Sequence, residues 1–148
     1  MGVVADAVLD GGGDVVGVIP HALAARELAH REVADIRVVP SMHARKALMA
    51  ELADGFVALP GGLGTFEELL EIATWGQLGI HRKPVGVLNV AGYYAPLAAL
   101  LEHAVREGFV SAKNRRLITF ADAPAALLDG LAAHRPPEGP EWITPDET

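Results

Sequence analysis

Apolar positions along this chain change rhythm repeatedly, from helical spacing to short continuous runs and back. Residues 2–10 carry helical spacing and stop at Gly11-Gly12-Gly13, a C-terminal stop signal. Residues 14–20 (DVVGVIP) form a short β-branched run and predict a buried strand. Residues 22–29 predict a short helix or helical loop, and residues 36–40 (IRVVP) a second strand. Ser41 offers an N-cap for a helix over residues 42–53. Residues 55–60 (GFVALP) predict a third strand running straight into Gly61-Gly62-Leu63-Gly64-Thr65, after which a helix extends from Phe66 to about Leu78. A fourth strand at 84–90 (PVGVLNV) precedes an amphipathic helix at 94–107, with Leu97, Leu100, Leu101, Ala104 and Val105 on one face. A last strand at 117–120 and a last helix at 125–134 complete the pattern. Alternation of this kind predicts an α/β fold, a doubly wound parallel sheet flanked by helices, over residues 1–134. From Arg135 onward proline and acidic residues dominate, and residues 135–148 read as a loose C-terminal tail.

Composition narrows this picture without redirecting it. The 148 residues suit one domain, and a hydrophobic content of 51% supplies a sizeable core. Aromatics make up only 5%, which favours layered helices and buried parallel strands over an aromatic-rich sandwich. The absence of cysteine excludes disulfides and thiolate metal sites and fits a reducing compartment. Asp6, Asp10 and Asp14 interrupt the apolar N-terminus before a signal-peptide core could form. No stretch approaches the roughly 20 apolar residues of a membrane span. A soluble, cytoplasmic protein with no membrane partner is expected. The formal charge of −7 argues against nucleic acid as a partner, since that requires a basic field. A small anionic ligand depends on local donors instead.

Such donors are concentrated at Leu59-Pro60-Gly61-Gly62-Leu63-Gly64-Thr65-Phe66-Glu67-Glu68. The segment sits at the carboxyl end of a predicted strand and opens a helix, where open α/β sheets bind ligands. Glycines let backbone N–H groups approach an anion, and the helix N-terminus adds partial positive charge. A tight turn that needs glycine only for its dihedrals is the plain alternative, but three glycines and a proline in five positions exceed what a turn requires. A P-loop would continue Gly-Lys-Ser/Thr, and a dinucleotide fingerprint would need a third glycine at Glu67; neither holds. Glu68 fits two roles. Thr65 as N-cap with Glu68 three residues on is a capping box, and on spacing alone that role is the stronger; the other is catalysis one helical turn from the phosphate. A second cluster, Ser41-Met42-His43-Ala44-Arg45-Lys46, places two cations in the first turns of a helix, against the macrodipole. Either it is a solvated face or it serves an anion; two such segments on successive strand–helix units of one parallel sheet favour the anion. The six histidines are scattered without metal-ligand spacing and read mostly as surface groups, so no metal is expected. No nucleophilic elbow is present.

Together these residues resemble the LOG ("lonely guy") cytokinin-activating family. The resemblance rests on Pro60-Gly61-Gly62-x-Gly64-Thr65-x-x-Glu68 preceded by Met42-His43-x-Arg45-Lys46. It continues through Thr74-Trp75-x-Gln77-Leu78-Gly79, Lys83-Pro84-Val85-Gly86 and Gly92-Tyr93-Tyr94, and covers almost everything from Met1 to about Phe120. It implies a Rossmann-like nucleotide-binding domain, a homodimer with sites near the subunit interface, and no cofactor. It further implies hydrolysis of a cytokinin riboside 5′-monophosphate, and in some relatives AMP, to free base and ribose 5-phosphate. By the family's pattern Arg45 and Glu68 are the catalytic pair. Glu27, Met42, Lys46, Gly61, Gly62, Gly64, Thr65, Glu67 and Thr74 then hold the nucleotide. Related sequences are often labelled lysine decarboxylases, yet neither Lys46, Lys83 nor Lys113 has a convincing pyridoxal-phosphate setting. Family members begin with a strand and a glycine-rich turn ending in Gly-Leu-Met-Gly, and this chain starts at the equivalent of that last Met-Gly. The expectation is therefore an N-terminally shortened member, lacking one strand, one helix and part of the pocket.

A rival of another class is a binding module such as a molybdenum-cofactor carrier, which shares the general fold and a glycine-rich phosphate loop. A carrier has no need of a carboxylate beside its anionic ligand, so Arg45 with Glu68 favours the enzyme. A structural dimer with a vestigial site is a third reading, and it predicts no phosphate affinity.

Overall fold

A computed structural model describes residues 2–24 and 32–136. The chain divides into two compact units between Ala53 and Asp54, and each is described by itself.

The first unit opens with α1 (Gly2–Asp10). Its end is closed by the glycine run: Gly11 N–H donates to Ala7 O, Gly12 N–H to Leu9 O and Gly13 N–H to Val8 O. Gly12 takes a left-handed φ of 76°, the conformation that glycine adopts without a Cβ penalty. Strand β1 (Val16–Pro20) pairs in parallel with β2 (Asp35–Val39), with Val16 opposite Asp35 and Pro20 opposite Val39. The burial expected of β1 is only partial, because Val16 is 44% exposed. Helix α2 (His21–Ala24) follows β1; the remainder of the helix expected to residue 29 lies outside the described residues. Helix α3 (Met42–Leu52) begins where its cap predicts: Ser41 Oγ accepts from Ala44 N–H at 3.1 Å.

The second unit holds a three-stranded parallel sheet in the order β3-β4-β5, formed by Phe56–Ala58, Val85–Leu88 and Ile118–Ala121. All four residues of the central β4 are buried, as expected for a strand covered on both faces. That explains why its sequence is continuously apolar rather than alternating. Helix α7 (Pro124–Ala132) packs on β4 and β5 and buries Leu127 to 2% exposure. Gly86 permits this approach, since a Cβ there would lie 2.9 Å from Leu127 Cδ1 and 3.0 Å from Leu131 Cδ2. Helix α4 (Leu63–Leu78) connects β3 to β4, and α5 (Ala95–Arg106) with the short α6 (Ala112–Arg115) connects β4 to β5. The turn α6 has no counterpart in the sequence pattern. Arg115 fixes it: Nε meets Glu102 Oε1 of α5 at 2.8 Å, Nη1 donates to Ile118 O at 3.0 Å, and the guanidinium lies 4.8 Å from the Phe120 ring centroid.

The expected class is therefore present, parallel strands in sheets flanked by helices, as in Rossmann-like folds. Among the described residues the first unit carries the parallel ladder β1-β2 and the second the parallel ladder β3-β4-β5. The helix face expected to be apolar on α5 is less covered than expected, with Leu100 61% exposed.

Candidate functional site

The glycine loop leaves the carboxyl end of β3 and enters α4, as its sequence implies. The helix, however, starts three residues earlier than Phe66. Gly62 is the N-cap and makes no side-chain cap bond, and Leu63, Gly64 and Thr65 are the first three helical residues. Thr65 N–H and Phe66 N–H both donate to Gly62 O, at 3.0 and 3.1 Å. Thr65 therefore cannot serve as N-cap, and the capping box expected for Thr65 with Glu68 is not formed. A helix start leaves its first N–H donors without intrahelical acceptors, and here those donors lie on the glycine segment.

The three glycines have different structural reasons. None adopts a left-handed φ; among the described residues the positive-φ glycines are Gly12, Gly79, Gly92 and Gly108. Gly61 is needed sterically, because a Cβ there would clash with Thr65 Oγ1 and lie 3.0 Å from Thr65 Cβ. Gly62 and Gly64 are needed by neither dihedral nor packing: a Cβ at either position would meet nothing within 4 Å. A turn requiring glycine for its backbone angles does not account for them. Open space beside exposed backbone does fit an approaching ligand.

The remaining expected site residues fall into two sets, one per unit. Glu67, Glu68 and Thr74 lie on α4 with the loop; Glu67 and Thr74 are exposed and Glu68 is half-buried. Thr74 Oγ1 donates back to Leu70 O at 2.7 Å, which leaves its hydroxyl oxygen available as an acceptor. Met42, Arg45 and Lys46 lie on the first two turns of α3, with Met42 44% exposed and the two cations half-buried. Glu27 lies outside the described residues.

Sequence reading missed two features of the second unit, one at the loop and one near the far end of α4. Tyr94 OH donates to Leu59 O at 2.7 Å and Tyr93 OH to Gly61 O at 2.5 Å, so the Gly-Tyr-Tyr motif is bonded to the loop. Burial raises the Tyr94 phenol above its ordinary value, keeping it a donor. The second feature is His81, which is not a surface group. Lys83 N–H donates to His81 Nδ1 at 3.1 Å, and Nε2 lies 2.8 Å from Ile72 O. With Nδ1 accepting, Nε2 carries the proton and donates to Ile72. The ring also lies 5.2 Å from that of Phe56 on β3. Gly76 on α4 leaves room for it, since a Cβ there would come within 3.3 Å of His81 Cε1.

Burial, first, and then the charge of Lys83 hold the His81 pKa below its ordinary 6.5. Protonation would also remove the acceptor of Lys83 N–H. Because the folded pKa lies below the unfolded one, the contribution to stability is complete above about pH 6.5 and is lost as pH falls toward the folded value. Thermal melts at pH 7.5 and 5.5 are expected to show a smaller acid-side drop for His81→Gln than for wild type. Identical drops in the two proteins would refute this role.

Among the described residues no group of histidine or acidic side chains is arranged to hold a metal ion, and no helix is long and apolar enough to cross a membrane. Residues 1–131 match the protein-family model described as "Possible lysine decarboxylase". The chain is 52% identical over 136 residues to a probable cytokinin riboside 5′-monophosphate phosphoribohydrolase of Oryza sativa subsp. japonica, covering 92% of this chain and 64% of that protein. A second rice protein of the same description is 54% identical over 137 residues, or 93% of this chain and 56% of its own length. A cytokinin riboside 5′-monophosphate phosphoribohydrolase of Arabidopsis thaliana is 52% identical over 136 residues, 92% of this chain and 63% of its own. The chain thus spans 56–64% of the length of these curated relatives. With the family model matched from residue 1 to residue 131 and the glycine loop opening α4 inside that match, the chain belongs to the "Possible lysine decarboxylase" family, the LOG family.

Proposed function

We propose that this chain hydrolyses the N-glycosidic bond of a cytokinin riboside 5′-monophosphate, releasing the free base and ribose 5-phosphate. The observation that carries this reading is the open space at Gly62 and Gly64, two glycines that the fold itself does not require. The names of the relatives supply the substrate class. Cleavage is dissociative, with positive charge building on the ribose as the bond to the base lengthens. The Glu68 carboxylate stabilises that charge or activates the attacking water. Arg45 keeps its charge throughout and donates hydrogen bonds to the substrate or the departing base. Gly61, Gly62, Gly64 and Thr65 of the loop take the phosphate, and the family resemblance assigns Glu27, Met42, Lys46, Glu67 and Thr74 to nucleotide binding as well. A homodimer acting in the cytoplasm belongs to the same proposal. The half-covered face of α5, with Leu100 61% exposed, is apolar surface such an assembly could cover.

Decarboxylation, named in the description of the family model, is not adopted. No charged residue is buried among the described residues, and Schiff-base lysines depend on burial to lower their pKa. The test is chromatographic. Protein incubated with isopentenyladenosine monophosphate is expected to release base and ribose 5-phosphate. Release from AMP alone would replace the substrate with ordinary purine nucleotide, and no release from either would overturn the reading.

A further inference from the structure

The Tyr93–Tyr94 pair has no role in the reaction as described, yet both hydroxyls end on the glycine loop from more than thirty residues away. Tyr94, 1% exposed, donates to Leu59 O and fixes the exit of β3. Tyr93 donates to Gly61 O. The Tyr93 ring stands edge-on to that of Tyr94, with centroids 5.0 Å apart at 89°, and lies 6.4 Å from Phe66 at 25°. The pair is itself anchored. Tyr94 N–H donates to Asn89 Oδ1 at 2.7 Å, while Asn89 Nδ2 donates to Asp122 Oδ1 and Asn89 N–H to Ala121 O, each at 2.8 Å. The turn between them, the 3-10 segment Val90–Gly92, holds Ala91 at a left-handed φ of 51°. Non-glycine residues adopt that conformation only where the surroundings impose it.

The peptide joining Gly61 to Gly62 is planar, so the direction of its carbonyl fixes the direction of its N–H. With glycine on both sides, this peptide has less steric resistance to rotation than any other link in the loop. A donor on its carbonyl restrains that rotation and polarises the group, making the N–H a stronger donor.

We propose that Tyr93 is a positioning residue, whose hydroxyl on Gly61 O holds the Gly61–Gly62 peptide with the Gly62 N–H directed at the phosphate of the nucleotide. This deepens the proposed function and rests on it. The phenol touches no reacting atom; it acts through the loop backbone.

Tyr93→Phe keeps the ring contacts and removes only this bond, at a side chain that is 47% exposed. Titration of ribose 5-phosphate by calorimetry is expected to show an affinity about 3–10-fold weaker than wild type, the span of one neutral hydrogen bond. KM for the nucleotide should rise by a similar factor and more than kcat falls, with the melting temperature held. Unchanged ribose 5-phosphate affinity, or a loss confined to kcat, would overturn the positioning role while leaving the hydrolase reading intact. A wild-type protein that does not bind ribose 5-phosphate would instead remove the phosphate loop from the reading, and this inference with it.

Discussion

Glu68→Gln is expected to lower turnover of the cytokinin nucleotide by about 10²–10⁴-fold, the range associated with a positioned general acid–base group. The substitution preserves shape and removes the negative charge on which the proposed chemistry depends. Its interpretation is helped by where α4 begins. Had Thr65 been the N-cap, losing the carboxylate would also have broken a capping box, and a fall in activity could have reflected a frayed helix. Gly62 is the N-cap instead, so Glu68 lies well inside the helix. A melting curve of the variant, measured beside its turnover, separates a loss of folding from a loss of chemistry. Steady-state assays with folded Glu68→Gln decide the matter: wild-type turnover would show that the carboxylate has no part in the reaction.

Gly64→Ala is expected to separate binding from folding. Alanine is the better helix former, by up to about 0.8–1 kcal/mol in a helix interior, and Gly64 is the second residue of α4, exposed and surrounded by open space. The variant should melt at or above the wild-type temperature. A methyl group in the space assigned to the phosphate should nevertheless weaken nucleotide binding by roughly 10–100-fold, the equivalent of about 1–3 kcal/mol of overpacking. Parallel thermal melts and AMP titrations test both halves. A variant that is more stable and binds AMP as well as wild type would remove the phosphate from Gly64. Gly61→Ala makes a useful contrast, because its clash with Thr65 disturbs the loop itself and stability should fall with binding.

The elements legible in the sequence are those whose signals are local. The Gly11-Gly12-Gly13 stop of α1 and the Ser41 cap of α3 depend on a few neighbouring backbone groups. The continuous apolar run of β4 reports burial on both faces. The loop's place between β3 and α4 could be read in the same way, since a strand signal, a glycine run and a helical period follow one another directly.

Other features depended on groups distant in sequence. Glycine permits several backbone conformations, so spacing could not show that Gly62 rather than Thr65 would cap α4. The reason for each glycine became clear only from its surroundings: Thr65 crowding Gly61, the leucines of α7 crowding Gly86, and nothing beside Gly62 or Gly64. His81 looked like any other scattered histidine until Ile72 O and Lys83 N–H were found on its two ring nitrogens. By itself the sequence determined the α/β class, the order of the strands and longer helices and the position of the phosphate-loop candidate, because periodicity and capping are short-range. Only the tertiary structure decided where α4 starts, which glycines are spare and that Tyr93 and Tyr94 hold the loop. Those outcomes depend on hydrogen bonds and contacts between residues that chain spacing does not relate.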